Sequence, residues 1–349
     1  MRFEAPTTDD RRIWDLWLTG LYQGAIVGAD DAGVFTALAE APASIAELAE
    51  RMGYDERALG VLLRLLGALG LAVVRAGRFE LTDQARLYLV RSGPYYWGPM
   101  MRVAVNPWVV ERVQAKLREK GSADAPGPEA TAPTLTGDAP VDGWAAAKIS
   151  PEQARSITER MHAHSVPAAV GAARNYDLSG VKRILDVGGG SGCFMIAMAQ
   201  AHPQLKCTVM EIDTVCDAAM TYIRSGGVEA QVDTRAVDMF RQSWPSGYDA
   251  IFFSNVWHDW SPRTCAFLAK KAFEALPSGG RIMLHEMLLD DHGAGPATAA
   301  SFSMMMLLGT QGQQFTFAEL KAILEGAGFV GVEAKATAGH YSIVTGYRK

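Results

Sequence analysis

The chain of 349 residues contains no long apolar segment. Its longest apolar stretch, residues 61–74, is interrupted by Arg64 and is too short to span a bilayer. The first residues are charged and lack the apolar core of a signal peptide. We therefore expect a cytoplasmic protein that has no membrane partner.

Cysteine is also scarce, with four residues in the chain, and no two of them form a C-x-x-C pair. Three of the four fall in segments that are predicted to be strands or helices. We therefore expect free, buried thiols in a reducing compartment. The four residues are Cys193, Cys207, Cys216 and Cys265.

Residues 1–120 are predicted to form a helical domain. Ser44 and Glu47 form a capping box that begins one helix, and a second helix is expected over 55–69. A short hairpin is expected to follow, over residues 71–81. Two helices followed by a hairpin give a winged-helix-like pattern, which raises the hypothesis of DNA binding.

The charge of the chain argues against that hypothesis. The formal net charge is −5 at pH 7, and residues 1–90 hold nine Arg, no Lys and thirteen Asp or Glu. Contacts between basic side chains and phosphates supply most non-specific DNA affinity, and an acidic domain lacks them. We therefore expect a dimerisation domain and no nucleic-acid partner, with a winged-helix regulator as a minor alternative.

The middle of the chain is predicted to connect this domain to a second one. Residues 121–143 are rich in Pro, Ala, Gly and Thr, a composition typical of a long loop or linker. The C-terminal domain is expected to cover 144–349 and to begin with bridging helices within 144–178. These helices are predicted over 151–163 and 166–175.

Strands and helices alternate from residue 181 to the end of the chain. This alternation predicts an α/β fold with a doubly wound, mostly parallel, Rossmann-like sheet. Ligands of such sheets bind beyond the carboxyl ends of the strands. The predicted strands cover residues 183–187, 206–211, 231–237, 250–255, 281–286, 330–335 and 341–347.

A glycine-rich turn follows the first of these strands, over residues 188–192. The dinucleotide fingerprint G-x-G-x-x-G fails, because Cys193 occupies the position of its third glycine. What remains is G-x-G-x-G, formed by Gly188, Gly190 and Gly192 and preceded by Asp186. This pattern is typical of enzymes that use S-adenosylmethionine (SAM).

The next strand ends carry residues suited to the rest of that ligand. Glu211 ends the second strand about twenty residues after the turn, where a carboxylate can accept both ribose hydroxyls. Asp238, Met239 and Phe240 end the third strand. Asp238 can accept from the adenine amino group, and the two apolar side chains can enclose the ring, although D-M-F is also a common turn.

The fourth and fifth strands end in a group suited to proton transfer. Trp257, His258 and Asp259 follow the fourth strand, and Glu286 ends the fifth. Adjacent strands would place His258 and Glu286 at the same edge of the sheet. His258 is then a candidate general base, because its ordinary pKa lies near neutrality, and Glu286 would orient its imidazole.

Taken together, these motifs resemble those of SAM-dependent O-methyltransferases of the caffeic acid and acetylserotonin type. Bacterial relatives of these enzymes act in antibiotic and pigment biosynthesis. The resemblance extends from about residue 12 to the end of the chain. Its specific segments are LDVGGGSG at 185–192, DMF at 238–240, NVWHDW at 255–260, LPSGGRI at 276–282 and the Glu–Gly–Phe region at 325–329.

The resemblance implies a homodimer through the N-terminal domain, SAM as cofactor with S-adenosylhomocysteine as product, and no metal. The implied catalytic residues are His258, Glu286 and Asp259. The implied SAM contacts are Ser165, Gly188, Gly190, Glu211, Asp238, Met239, Phe240 and Ser254. The implied acceptor contacts are Trp97, Trp108, Met161, His162, Trp257, Phe302, Met305 and Gln314.

The sequence departs from the plant members of this family at three places. Ser254 stands where they often have Lys, and Gln314 stands where they have a second Glu beside the His. Gln314 can form hydrogen bonds but cannot offset the charge of an imidazolium. The third departure is the segment 121–143, which matches the family poorly.

These observations predict methyl transfer from SAM to a hydroxyl, a phenol above all, of a small aromatic or polyketide-type antibiotic metabolite. The same scaffold can methylate carbon or nitrogen of an aromatic amino acid or an α-keto acid, with the same base. A metal site built on His258, Asp259 and another His, such as His292, is a further alternative. The sequence does not identify the acceptor.

Overall fold

A computed structural model describes residues 1–103, 105–120, 149–291 and 295–349. The chain divides into two compact units, which are described separately below. The first contains residues 1–11, 126–288 and 317–349, and the second contains residues 12–125 and 289–316. The predicted linker, 121–143, lies outside the described residues.

The N-terminal elements are mostly short helices. A 3₁₀ turn, Thr19–Leu21, separates the first two of them. In chain order, the elements are α1 (Arg11–Leu18), α2 (Tyr22–Asp31), α3 (Val34–Glu40), α4 (Ile45–Met52), α5 (Glu56–Ala68), β1 (Ala72–Arg75), β2 (Arg78–Leu81), α6 (Asp83–Leu89), α7 (Gly98–Met101) and α8 (Pro107–Arg118).

The remaining elements alternate between helix and strand. They are α9 (Pro151–Asn175), β3 (Arg183–Val187), α10 (Cys193–Ala201), β4 (Lys206–Glu211), α11 (Asp213–Gly226), β5 (Val232–Ala236), β6 (Ala250–Ser254), α12 (Pro262–Ala275), β7 (Arg281–Met287), α13 (Ala297–Gly309), α14 (Phe317–Gly326), β8 (Val330–Ala338) and β9 (Tyr341–Tyr347). A 3₁₀ turn, Trp257–Asp259, follows β6.

The predicted helices and hairpin of the helical unit are confirmed. Ser44 caps α4, because its hydroxyl accepts from the N–H of Glu47 at 3.2 Å and the Glu47 carboxylate accepts from the N–H of Ser44 at 2.7 Å. Asp55 caps α5, because its carboxylate accepts from the N–H of Ala58 at 2.9 Å. Strands β1 and β2 then pair as an antiparallel hairpin.

The helical unit also contains α13, which belongs to the segment that the sequence assigned to the sheet domain. Helix α13 packs against α5 and α8. Arg112 donates to the carbonyl of Leu308 at 3.0 Å, and Arg57 donates to the carbonyl of Gly312 at 2.8 Å. The compact units are therefore not contiguous in sequence, whereas the predicted domains are. The predicted border at residue 143 lies outside the described residues.

The sheet unit confirms the predicted α/β architecture. Seven strands lie in the order β5-β4-β3-β6-β7-β9-β8. The strands from β5 to β7 are parallel, whereas β9 is antiparallel to both of its neighbours. The carboxyl ends of β3, β4, β5, β6 and β7 therefore lie at one edge of the sheet.

Helix α9 differs from the prediction of two helices over 151–163 and 166–175. It is continuous for 25 residues and contains Pro167. A proline inside a helix removes one backbone hydrogen bond and usually bends or ends the helix. Helix α9 packs against α10, α11 and β8 and buries a row of alanines, and this packing stabilises the continuous helix.

All four cysteines lie in the described part of the chain, where they are buried and form no disulfide. This agrees with the expectation of free thiols. Within the described residues, no helix is both long enough and apolar enough to cross a membrane.

Candidate functional site

The turn after β3 forms a narrow cradle of glycines. Gly188, Gly190 and Gly192 have φ angles of 70°, 54° and 72°, which side chains rarely adopt. A Cβ on Gly189 would lie 2.5 Å from the Asp186 carboxylate, whereas a Cβ on Gly190 would meet no atom within 4 Å. The turn therefore packs tightly on its protein side and leaves open space at Gly190.

Two buried carboxylates lie beside this turn. Asp186 is 1% exposed, and neither of its carboxylate oxygens has a hydrogen-bond partner among the described residues. Glu211, at the end of β4, is 5% exposed and accepts from the N–H groups of Gly190 and Ile212 at 3.2 and 3.0 Å. The structure thus brings Glu211 to the glycine turn.

Burial changes the protonation of both acids. It raises the pKa of Glu211 to about 7, although its two backbone hydrogen bonds act in the opposite direction. Burial, and then the nearby charge of Glu211, raise the pKa of Asp186 well above its ordinary value. Unpartnered carboxyl oxygens beside an open glycine turn are suited to a ligand that carries hydroxyl and amino groups, as SAM does.

The loop after β5 contains the D-M-F residues. Asp238 Oδ1 accepts from the N–H groups of Phe240 and Arg241 at 2.8 and 3.1 Å, and its Oδ2 pairs with the Arg241 guanidinium at 2.9 Å. The Phe240 ring lies edge-on to Trp260, with centroids 4.8 Å apart. Asp238 therefore stabilises its own turn, and a carboxylate has enough lone pairs to accept from a ligand as well.

Lys271 of α12 holds this loop, and sequence reasoning missed it. Its ammonium donates to the carbonyls of Met239 and Gln242, at 2.7 Å each, and to that of Phe240 at 3.3 Å. Trp244 Nε1 donates to the same Met239 carbonyl at 2.9 Å, and the Lys271 ammonium lies 5.4 Å from the Trp244 ring. No sequence motif identifies one lysine of an amphipathic helix as a contact of this kind.

His258 and Glu286 meet where β6 and β7 end. His258 Nδ1 lies 3.0 Å from Glu286 Oε2, and the side chains are 5% and 1% exposed. Glu286 Oε1 accepts from the N–H of Trp257 at 3.2 Å. Asp259, with 38% of its side chain exposed, lies 3.8 Å from His258 Nε2. The structure therefore brings together the three residues predicted to be catalytic.

The electrostatics of this group favour a charged imidazole. Burial by itself would lower the pKa of His258, but the carboxylates of Glu286 and Asp259 outweigh it and raise the pKa above 6.5. Because a carboxylate only accepts, the neutral ring would carry its hydrogen on Nδ1, toward Glu286, and its lone pair on Nε2.

Helix α9 supplies four residues, three of them predicted. Ser165 is buried, and its hydroxyl lies 3.3 Å from His164 Nδ1. Met161 is exposed, and its sulfur lies 3.4 Å from His164 Nε2. His162 stacks on Tyr222 and lies 2.9 Å from the hydroxyl of Ser191, so it contacts the glycine turn.

His164 is a residue that sequence reasoning missed. Burial first, and then the charge of His258, lower its pKa to about 4, so the ring stays neutral at pH 7. The segment M-H-A-H-S contains two histidines, and the family resemblance implies a role for His162 alone. The electrostatic coupling links His164, and not His162, to the predicted base.

Trp257, a predicted acceptor contact, lies in the 3₁₀ turn that follows β6. Its side chain is fully buried, and its ring lies edge-on to Phe253, 5.8 Å away. Its backbone N–H donates to Glu286 Oε1. The Trp257 ring therefore packs among apolar side chains, and its role as an acceptor contact stays a prediction.

The other predicted acceptor contacts belong to the helical unit. Trp97 is exposed before α7, and Trp108 is half-buried at the start of α8. Phe302 and Met305 of α13 are buried, and the Phe302 ring lies 5.3 Å from that of Trp14. Gln314 is buried, and its backbone N–H donates to the Ser303 hydroxyl at 3.0 Å. Their roles stay predictions.

Ser254 ends β6, and its hydroxyl lies 3.0 Å from His285 Nδ1. Within the described ranges, no three His, Cys, Asp or Glu side chains are grouped as metal ligands. His292, named in the metal alternative, lies outside those ranges.

Comparison with known proteins gives two sequence profiles that match the chain. The profile of the O-methyltransferase domain matches residues 136–330, and that of the O-methyltransferase dimerisation domain matches residues 22–91. The chain is 34% identical over 314 residues to a 3-hydroxy-5-methyl-1-naphthoate 3-O-methyltransferase of Streptomyces sahachiroi. This match covers 89% of the chain and 87% of the relative.

Two solved structures are also similar. An O-methyltransferase family 2 protein from Planctomyces limnophilus, in complex with apigenin, is 27% identical with a TM-score of 0.84, over 99% of this chain and 98% of that one. Human N-acetylserotonin methyltransferase, in complex with SAM, is 24% identical with a TM-score of 0.58, over 99% of each chain. The second likeness concerns the fold alone.

The Lys271 contacts generate a testable prediction. Replacing Lys271 with Met removes three hydrogen bonds to the 239–242 loop. Each such bond contributes about 0.5–1.5 kcal/mol to the order of the loop, and we expect about 1.4 kcal/mol of this to reach the ligand, which is roughly 10-fold weaker binding of S-adenosylhomocysteine in calorimetry. Lys270→Met makes the same change at an exposed neighbour and should bind normally. Equal affinities for both variants would contradict this role.

Proposed function

Because the chain belongs to the O-methyltransferase family, we propose that His258 is the general base that deprotonates a hydroxyl of a small aromatic or polyketide-type metabolite. The observation that supports this role is the 3.0 Å distance between His258 Nδ1 and a carboxylate oxygen of Glu286. Both side chains are buried at the edge of the sheet where its ligands bind.

The coarser function follows from the family itself. The protein is a SAM-dependent O-methyltransferase. It carries the dimerisation domain of these enzymes at residues 22–91, which supports a homodimer. A cytoplasmic location is part of the proposal and is consistent with four unpaired cysteines.

Residues at four strand ends and on α9 would hold SAM. The open glycine turn and the unpartnered Asp186 oxygens fit its polar groups, and Glu211 is positioned to accept from hydroxyls. When bound, SAM supplies a methyl group that is activated by a sulfonium. The residues proposed to bind it are Ser165, Gly188, Gly190, Glu211, Asp238, Met239, Phe240 and Ser254.

The proton chemistry belongs to His258 and Glu286. His258 Nε2 takes the proton of the acceptor hydroxyl, which makes that oxygen a better nucleophile. Glu286 keeps the other ring hydrogen on Nδ1 and stabilises the imidazolium that forms, since it lies 3.0 Å away. A positioned base contributes roughly 10²–10⁴-fold in rate, and holding two reactants in place contributes roughly 7–11 kcal/mol.

An aromatic acceptor is supported by the names of two similar proteins. One acts on a hydroxylated naphthoate, and the other was solved with apigenin.

A half-buried His164, neutral at pH 7 and coupled to His258, adds a polar group that can form a hydrogen bond to such a ring hydroxyl. We therefore propose that His164, in addition to His258, faces the acceptor.

The base assignment predicts a specific kinetic effect. His258→Gln should lower kcat by roughly 10²–10⁴-fold, because a glutamine side chain cannot accept the proton of the hydroxyl. Affinity for S-adenosylhomocysteine, measured by calorimetry, should stay near that of the wild type. His202→Gln, which changes a histidine bonded to the Ala173 carbonyl, should leave the rate within a few-fold. A fully active His258→Gln variant would end the base assignment.

The acceptor class needs a separate experiment. We would incubate the enzyme with methyl-labelled SAM and a panel of phenols, catechols, hydroxylated quinones and naphthoates, aromatic amino acids and α-keto acids. We expect the labelled methyl group on a hydroxyl oxygen of an aromatic compound, and NMR would locate it. Label on carbon or nitrogen would replace O-methylation by the corresponding alternative. SAM binding without transfer to any compound would contradict the proposed acceptor class.

A further inference from the structure

His285 is a fully buried histidine of β7 that the proposed mechanism does not use. Its ring lies parallel to that of Tyr341, with centroids 4.7 Å apart and planes at 6°, and Phe194 packs edge-on against it at 4.9 Å. This packing fixes the direction of both ring nitrogens. Nδ1 lies 3.0 Å from the Ser254 hydroxyl, and Nε2 lies 3.2 Å from the Thr337 hydroxyl.

The hydrogen of Thr337 can be placed by counting donors. Its hydroxyl lies 3.2 Å from the carbonyl oxygen of Tyr341 and donates to it, because a carbonyl can only accept. A hydroxyl has one hydrogen, so Thr337 accepts from His285. The hydrogen of the His285 ring therefore sits on Nε2.

The charge state of His285 gives the number of hydrogens on its ring nitrogens. Burial lowers its pKa to about 3, so the ring is neutral and carries a single hydrogen at physiological pH. With that hydrogen on Nε2, Nδ1 presents a lone pair to Ser254. The Ser254 hydroxyl therefore donates inward to His285, and its outward side presents only oxygen lone pairs.

We propose that His285 is a positioning residue that makes the Ser254 hydroxyl a hydrogen-bond acceptor toward SAM. The inference rests on the proposed function, in which Ser254 is a SAM contact. Ser254 then pairs with an N–H or O–H donor of the cofactor and turns away from its carboxylate. This polarity is opposite to that of a lysine side chain, which only donates.

Three groups of SAM can meet an acceptor: the ammonium of its amino-acid end, the ribose hydroxyls and the adenine amino group. The ammonium carries a charge, and a hydrogen bond to a charged group contributes more than one between neutral groups. The size of the affinity loss when Ser254 is replaced therefore distinguishes the ammonium from the two neutral donors.

The first test observes the tautomer of His285 directly in the full-length protein without ligand. Histidine labelled with ¹⁵N, assigned with His285→Asn, should show a neutral ring protonated on Nε2 between pH 6 and pH 8. Thr337→Val removes the acceptor of that hydrogen and should move it to Nδ1, whereas Thr337→Ser should keep it on Nε2. Thr345→Val, which removes a buried hydroxyl bonded to Tyr176, should leave His285 unchanged. A charged ring, or a hydrogen on Nδ1 in the wild type, would overturn the proposal.

The second test measures which ligand group Ser254 contacts. Ser254→Ala should weaken S-adenosylhomocysteine roughly 10- to 100-fold if the partner is the ammonium, and should leave 5′-methylthioadenosine, which lacks the amino-acid end, unaffected. A smaller, equal loss for both ligands would identify a ribose or adenine donor and would also support the proposal.

Two outcomes of this titration oppose the proposal. One is an unchanged affinity for every ligand. The other is a loss for S-adenosylhomocysteine that disappears with its decarboxylated analogue, because Ser254 would then pair with the carboxylate. Neither test requires methyl transfer, so a failure of the proposed acceptor class would leave both readouts intact.

Discussion

The contact between His258 and Glu286 is the interaction on which the catalytic half of the proposed site depends. A buried carboxylate and a buried imidazole are each costly without a partner, and each supplies the partner of the other at 3.0 Å. Their meeting requires β6 and β7 to be parallel neighbours, as the pairing of Ser254 with His285 shows. The strand order therefore creates the site, and the N–H of Trp257 fixes the second carboxylate oxygen.

The cofactor half of the proposed site lies at the same edge of the sheet, but hydrogen bonds to the backbone hold it together. The glycine turn brings the N–H of Gly190 to Glu211, and Lys271 donates to three carbonyls of the loop after β5. Behind Ser254, a neutral histidine and a threonine fix one hydroxyl hydrogen. Polar groups in this region are thus oriented before a ligand arrives, and such preorganisation reduces the cost of binding.

Features that depend on local sequence were predictable. The strand bounds agree to within a residue for six of the seven strands, and the capping box of Ser44 is confirmed. The proximity of His258 and Glu286 also followed from the sequence, since both residues end strands that were expected to be neighbours. Local sequence patterns could therefore locate the carboxyl ends of the parallel strands and the acidic residues at or just after them, such as Glu211, Asp238 and Glu286.

Features that depend on packing between distant segments were not predictable. The sequence pattern predicted two helices over 151–163 and 166–175, whereas α9 is continuous and packs against α10, α11 and β8. Lys271 and His285 have no motif, because their roles arise from side chains that meet only in the folded chain. The burial of Trp257 and the grouping of α13 with the N-terminal helices also result from packing between segments that are distant in the sequence.

The pH dependence of kcat/KM in the wild type and in Glu286→Gln tests the central claim most directly. In the wild type, the rate should fall with decreasing pH through a pKa above 6.5, because the imidazolium is no base. Without the carboxylate, burial lowers that pKa, so the acidic limb should move to lower pH while the plateau falls. Glu274→Gln, an exposed change on α12, should leave the profile unmoved. An acidic limb that stays in place in Glu286→Gln would contradict the account.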